Sequence, residues 1–204
     1  MSNLDVNKEL KRMSNDFKIP EKEVVANWRS IVRFAWGKSS FKLKFLKDKA
    51  LRVKNTNPRS MKGFPTVTKY KCEICGELFG SNEIELDHIE SENSLKTFDD
   101  AEDFLKVIFF TSTDKLQVLC KDKKRKVGGK NQVVRFGCHS IKTLSERKGI
   151  SFEEAKIEKV VIDLCKDDKK VVDKLLSLGV KSSNISSTKK GKRELLTKLM
   201  KKDL

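Results

Sequence analysis

The chain is 204 residues long, carries a formal net charge of +16 and is 36% charged residues, against roughly 25% in an average domain. That length allows one good core, or one central domain with helical flanks. No run of roughly 18 apolar residues is present, which excludes a membrane-spanning helix, and Met1-Ser2-Asn3-Leu4-Asp5 has no basic-then-apolar leader pattern, so the expected location is the cytoplasm or nucleoid. A strong positive excess points to an acidic partner, nucleic acid being the commonest, and on charge alone a ribosomal or chromatin-like protein is as good a reading as an enzyme. The charge is unevenly spread. Residues 1–71 hold eighteen basic and six acidic residues, residues 72–105 one basic and eleven acidic, and the remainder twenty-six and twelve. An acidic island inside a basic chain suits a site that must hold divalent cations better than a surface that only coats phosphates.

Residues 1–69 read as a basic helical region. Val24, Trp28, Ile31, Val32, Ala35 and Trp36 recur at spacings of three and four and predict an apolar stripe on a helix that starts near Pro20. Lys22, Arg29, Arg33 and Lys38 fall around it, with Arg29 and Arg33 the candidates for DNA contact. A second short helix is expected to carry Phe41, Phe45, Leu46 and Leu51 among four lysines, and Asn55-Thr56-Asn57-Pro58 with Gly63 and Pro65 marks a loop. A packed helix pair with a solvated basic face and a groove-reading pair both fit this pattern.

Residues 70–148 hold the chemistry. Five cysteines, an odd number, with four of them near both histidines, read as metal ligands before disulfides in a reducing compartment. Cys72-Glu73-Ile74-Cys75 is a C-x2-C pair followed by Gly76, in which the turn aims both sulfurs inward. Cys120 and Cys138 are available to complete a four-cysteine structural zinc site. The seventeen residues between them carry seven basic side chains and one acidic, and Val127-Gly128-Gly129-Lys130 predicts a tight turn between two strands. The insertion at 121–137 is therefore a candidate DNA-contacting arm through Lys123, Lys124, Arg125, Lys126, Lys130 and Arg135, a disordered basic loop being the alternative. Asp99-Asp100-Ala101-Glu102-Asp103 reads as a solvated helix start. The two histidines lie in Leu86-Asp87-His88-Ile89 and Cys138-His139-Ser140. Phosphodiester hydrolysis needs a neutral base near pH 7 and a divalent cation held by hard or borderline ligands, and Asp87, His88 and His139 are the minimum set for it. On an extended strand Asp87 and His88 point to opposite sides, so the reading asks for a bulge or loop that aims them together.

Residues 149–204 read as a helical basic region. Ser151 with Glu154 forms a capping box ahead of Phe152, Ala155, Val160, Val161 and Leu164. A further helix is expected from Lys170 to Leu178, stopped by Gly179, then a polar linker over 182–188 and a last helix carrying Leu195, Leu196, Leu199 and Met200. Cys165 is read as a buried structural thiol. With a single Tyr, and with most Phe and Trp fitting core stripes, the sequence offers few exposed aromatics for stacking on RNA bases.

The run Tyr70-Lys71-Cys72-Glu73-Ile74-Cys75-Gly76, Leu86-Asp87-His88-Ile89, Leu116-Gln117-Val118-Leu119-Cys120 and Cys138-His139-Ser140-Ile141-Lys142-Thr143 resembles the HNH endonucleases, and more narrowly a freestanding group common in bacteriophages. The helical leader Trp28-Arg29-Ser30-Ile31-Val32-Arg33-Phe34-Ala35-Trp36 is similar to the one that precedes the zinc knuckle in that group. The resemblance covers roughly residues 22–143. It implies an α+β chain with a zinc-stapled ββα-metal core, flanked by N- and C-terminal helices, that hydrolyses double-stranded DNA as a monomer or weak dimer, homing among its possible uses. It implies Asp87 and His139 as ligands of a catalytic Mg²⁺ (or Mn²⁺), His88 as general base, Cys72, Cys75, Cys120 and Cys138 on a structural Zn²⁺, and Lys142 facing a phosphate. Two departures stand out. Lys115 occupies the place of the family's usual Asn, which braces the loop holding the base, and residues 121–137 replace a two-residue spacer. A zinc-containing DNA-binding module without catalysis is the alternative reading.

Overall fold

The computed structural model describes residues 5–89, 95–127 and 130–202. The chain divides into two units, one ending at Val118 and one starting at Leu119. Helix and strand are mixed, as expected of an α+β chain.

The first unit starts with α1 (Val6–Phe17), whose N-cap Asp5 accepts from the Lys8 backbone N–H at 3.0 Å. No apolar stripe announces this helix, in which only Leu10 is buried. Helix α2 (Glu21–Lys38) follows Pro20 directly, with Glu21 and Glu23 in its first turn and Lys38 in its last, the order the helix dipole favours. Its buried line is Val25, Val32 and Trp36, with Trp28 half-buried between them. The expected stripe is thus rotated: Ile31 is 60% exposed and Ala35 is exposed. Apolar residues lie on two adjoining lines of this helix, and packing against α1 and a later helix, α4 (Ala101–Phe109), selects one of them.

Ser39 ends α2 and caps α3 (Ser40–Asp48), its hydroxyl accepting from the Lys42 N–H at 3.2 Å. Helix α3 stops short of Leu51, which the sequence pattern had placed on it. Leu51 lies instead in β1 (Ala50–Lys54), opposite Lys69 of β2 (Thr66–Lys71). The pairing with β2 is non-local, so no short-range pattern announces it. The loop expected around Asn55–Pro65 is present, and the buried Asn55 amide organises it by donating to the Phe64 carbonyl at 2.7 Å and the Ser60 hydroxyl at 3.0 Å. β2 turns into β3 (Leu78–Phe79), giving an antiparallel three-stranded sheet in the order β1-β2-β3.

A second, two-stranded sheet pairs β4 (Ile84–His88) with β5 (Leu116–Cys120). Between them, α4 turns Ala101, Phe104 and Ile108 inward, a spacing of three and four, and Glu102 and Asp103 outward at its N-terminus. Phe98 and Phe104 are essentially inaccessible, and burying a side chain of that size contributes about 1.5–3 kcal/mol.

In the second unit, β6 (Lys123–Val127) and β7 (Lys130–Arg135) form an antiparallel hairpin with Val127 opposite Lys130. Gly128 and Gly129, the expected turn residues, lie outside the described residues. Helix α5 (Cys138–Lys148) ends at Gly149, whose φ of 62° is the left-handed C-cap conformation. Ile141 and Leu144 of α5 pack with Ala155 of α6 (Phe152–Leu164), which begins with the Ser151–Glu154 capping box as expected. Helix α7 (Asp168–Ser177) and α8 (Lys189–Met200) close a small core of Val161, Val171, Leu175 and Leu196. Lys192 of α8, almost fully buried, donates to both Asp168 carboxylate oxygens at 2.7 Å. Cys165 is half-buried against this core, and burial pushes its thiol up from the ordinary value.

Candidate functional site

The C-x2-C pair lies in the loop of the β2–β3 hairpin. The Cys72 N–H donates to the Glu77 carbonyl and the Gly76 N–H to the Cys72 carbonyl, both at 2.9 Å, so the loop curls back on itself. Gly76 takes a φ of 74°, which a residue with a Cβ adopts at a cost of about 1–2 kcal/mol. Glu73 then latches the loop onto β5. Its N–H donates to the Val118 carbonyl at 2.9 Å, and its carboxylate accepts from the Val118 N–H at 3.3 Å and from Lys49 Nζ at 3.1 Å.

The second pair is joined by a different device. The Cys138 N–H donates to Cys120 Sγ at 3.2 Å. Asp122 Oδ1 accepts from the Gly137 N–H at 2.8 Å and from Ser140 Oγ at 2.5 Å, which fixes the start of α5 beside the strand end. Gly137 is packed so closely there that a Cβ would sit 2.3 Å from the Cys120 carbonyl oxygen. Arg135 donates to the Lys121 carbonyl at 3.4 Å and closes the base of the β6–β7 arm. The insertion therefore loops out as a hairpin and leaves the two cysteines adjacent.

The four sulfurs of Cys72, Cys75, Cys120 and Cys138 lie within 4.8 Å of one another, and three of these residues are buried. Tetrahedral ligands about 2.3 Å from a zinc ion stand about 3.8 Å apart, so the donor set and its spacing both fit a structural Zn²⁺. Glu73, Asp122 and Gly137 escaped the sequence reading. Only Gly137, directly before a cysteine at a helix start, carried a visible signal.

Asp87 and His88 both belong to β4, which runs unbroken through His88 with strictly alternating burial. That alternation puts half-buried Asp87 and buried His88 on opposite faces of the strand. His88 is 5% exposed and lies 5.8 Å, ring centre to ring centre, from Trp36, which also meets Phe109 edge-on at 6.3 Å. Half-buried Asp87 accepts from the side-chain amide of Gln117 on β5 at 3.2 Å, and the same amide reaches the His88 carbonyl at 3.4 Å. The Ile89 N–H donates to the Lys115 carbonyl at 2.8 Å, so Lys115 joins the two strands through its backbone. His139 is the second residue of α5, half-buried, and its carbonyl accepts from the Thr143 hydroxyl.

The acidic island is used mainly by the fold. Asp100 caps the N–H groups of Lys96 and Thr97, and these hydrogen bonds hold its carboxyl below the ordinary range. Glu83 accepts from Gly80, Glu85 pairs with Lys42, Glu102 with Lys106, and Asp99 with Lys11. The reading of Asp99–Asp103 as a solvated helix start matches the start of α4 at Ala101, with Glu102 and Asp103 in its first turn. Among the candidate DNA contacts, Lys123, Lys124, Arg125 and Lys126 are exposed on β6 and Arg33 is exposed on α2. Arg29 is half-buried and donates to the Leu95 carbonyl, Lys142 is paired with Glu146, and the Lys130 side chain lies outside the described residues. The aromatics depart from expectation: Phe17, Phe34, Phe41, Phe64 and Phe110 are each at least 68% exposed.

No family model matches the chain, and no curated protein or solved structure is similar enough to count as a match.

Proposed function

We propose that the chain is a metal-dependent DNA endonuclease of the HNH type, acting on phosphodiester bonds. The four-cysteine cluster carries the reading, because it supplies the zinc staple such a core requires. Asp87 and His88 lie on the strand paired with β5, and His139 follows one of the four thiols in sequence. The chain order β4, β5, α5 is also that of a ββα-metal core. In this reading Asp87 and His139 hold a divalent cation, which supplies positive charge against the scissile phosphate. His88 accepts the proton of the attacking water. Gln117 fixes the plane of the Asp87 carboxylate, and the exposed lysines and arginine of the β6–β7 arm hold the phosphate backbone. Phage-type and homing-like roles both suit this activity.

The test is supercoiled plasmid at low salt with Mg²⁺ or Mn²⁺, and with EDTA in a brief incubation. Nicked or linear DNA is expected only with the cation. His88→Ala is expected to lower the rate by about 10²–10⁴-fold while DNA binding stays near wild type; because the ring is buried against Trp36, its removal also lowers the melting temperature. A specific observation favours a second reading, a zinc-containing DNA-binding module without catalysis: His88 is buried against Trp36, and Lys115 stands where an Asn is usual in the family. A retarded but intact plasmid with every cation tried would establish that module instead.

A further inference from the structure

Between Ser30 and Lys47 the chain carries five basic residues and no acidic one. Four large apolar side chains in this stretch face solvent: Ile31 at 60%, Phe34 at 70%, Phe41 at 70% and Leu43 at 59% exposure. Exposed single apolar residues are ordinary, but four within thirteen residues of a basic stretch, in which Lys42 pairs with Glu85 and Lys44 with Asp48, are not. Ile31, Phe34 and Lys38 share one side of α2 by their spacing, and Phe41 and Lys44 share one side of α3. Ser39 alone separates the two helices, so the Cα atoms of Phe34 and Phe41 are at most about 17 Å apart, a span of a few nucleotides. A Cβ added at Gly37 would meet nothing within 4 Å, so the space at the corner is open. The opposite side of α2 is anchored, with Val25, Val32 and Trp36 buried and Trp36 on the His88 ring.

We infer that the α2–α3 corner binds unpaired DNA, with Phe34 and Phe41 as stacking surfaces for bases and the basic side chains Arg33 and Lys38 tracking the phosphates. Duplex DNA hides its base faces, so a purely phosphate-binding surface gains nothing from exposed phenylalanines; a single strand offers faces and phosphates together. An anionic membrane is a poorer match, because insertion needs a continuous apolar face and these side chains alternate with lysine and arginine. The corner would hold a single-stranded stretch on the helix whose inner side touches His88, which makes DNA with unpaired segments the preferred ligand. The choice of DNA over RNA rests on the proposed function.

The experiment is fluorescence anisotropy of the full chain with labelled oligonucleotides of one length: single-stranded DNA, duplex DNA and single-stranded RNA. The buffer contains neither a catalytic cation nor a chelator, so binding is read without cleavage and with zinc retained. Phe34→Ala with Phe41→Ala is compared with Phe110→Ala, an 81% exposed control outside the corner. The double variant is expected to bind single-stranded DNA at least about 10-fold more weakly, with an unchanged salt dependence because no charge is removed. Duplex affinity is expected to change less than about threefold, and Phe110→Ala to match wild type. Equal loss on single strand and duplex, no loss on either, loss confined to RNA, or conversion of a dimer to a monomer by the variant would each overturn the assignment. Absence of cleavage in the plasmid assay would leave this binding result standing.

Discussion

Replacing Gly137 by alanine is expected to open the metal centre from its second half. The added Cβ would lie 2.3 Å from both the Cys120 oxygen and the Lys121 carbonyl carbon, and 2.6 Å from the Lys121 oxygen. Non-bonded carbon needs about 3.5 Å, so the two segments must separate by about 1 Å. All three obstructing atoms are backbone, so no side chain can swing aside. That separation stretches the Gly137–Asp122 bond of 2.8 Å and the Cys138–Cys120 contact of 3.2 Å beyond useful length. Overpacking of this kind costs about 1–3 kcal/mol. Each lost hydrogen bond adds about 0.5–1.5 kcal/mol. The sum is roughly 2–6 kcal/mol, or a fall in Tm of roughly 10–50 °C for a domain of about 60–100 residues. Zinc should be lost to a competing chromogenic chelator at a concentration at least about tenfold lower than for wild type. The assay is zinc stoichiometry under chelator titration, with melting followed in parallel. Gly37→Ala is the control: it meets nothing within 4 Å near the end of α2 and should be neutral or raise stability by about 0.5–1 kcal/mol. A Gly137→Ala protein that keeps one zinc per chain, wild-type chelator resistance and an unchanged Tm would refute the packing argument.

Three further outcomes are expected. Gln117→Leu keeps the volume but removes both contacts of the amide with the Asp87–His88 segment; cleavage should fall about 10–100-fold, with more Mg²⁺ needed for half-maximal rate and zinc content unchanged. An unchanged Mg²⁺ dependence would remove Gln117 from the site. The Glu158 carboxyl is held below its ordinary range by Lys148 first and Arg193 second. Because its folded value is depressed, its contribution to stability is complete above the ordinary glutamate value of 4.5 and is lost as pH falls through the folded value. Glu158→Gln should therefore flatten the acid limb of a Tm-against-pH curve, and parallel curves for the two proteins would contradict the pairing. Cys72→Ser should unfold the centre rather than merely slow catalysis, visible as loss of cooperative melting and of bound zinc together; a folded, zinc-loaded variant would exclude Cys72 as a ligand.

What the sequence determined by itself was chemistry and local structure. The four cysteines, the Ser151 capping box and the Val127–Lys130 hairpin register were legible because thiols have few other uses in such a pattern and because caps and tight turns are decided within a few residues. Tertiary packing decided the rest. It chose the Val25–Val32–Trp36 line of α2 over the line through Ile31, since both satisfy a helical period and only neighbours distinguish them. It took Leu51 out of α3 and paired it across to Lys69, a contact that no local pattern encodes. It placed Phe34 and Phe41 in solvent, because a phenylalanine is an apolar residue in any sequence pattern until the partner that covers it, or fails to, is known. It also brought Cys120 and Cys138 together across seventeen residues, through a carboxylate at Asp122 and the missing side chain of Gly137, neither of which carries a recognisable spacing.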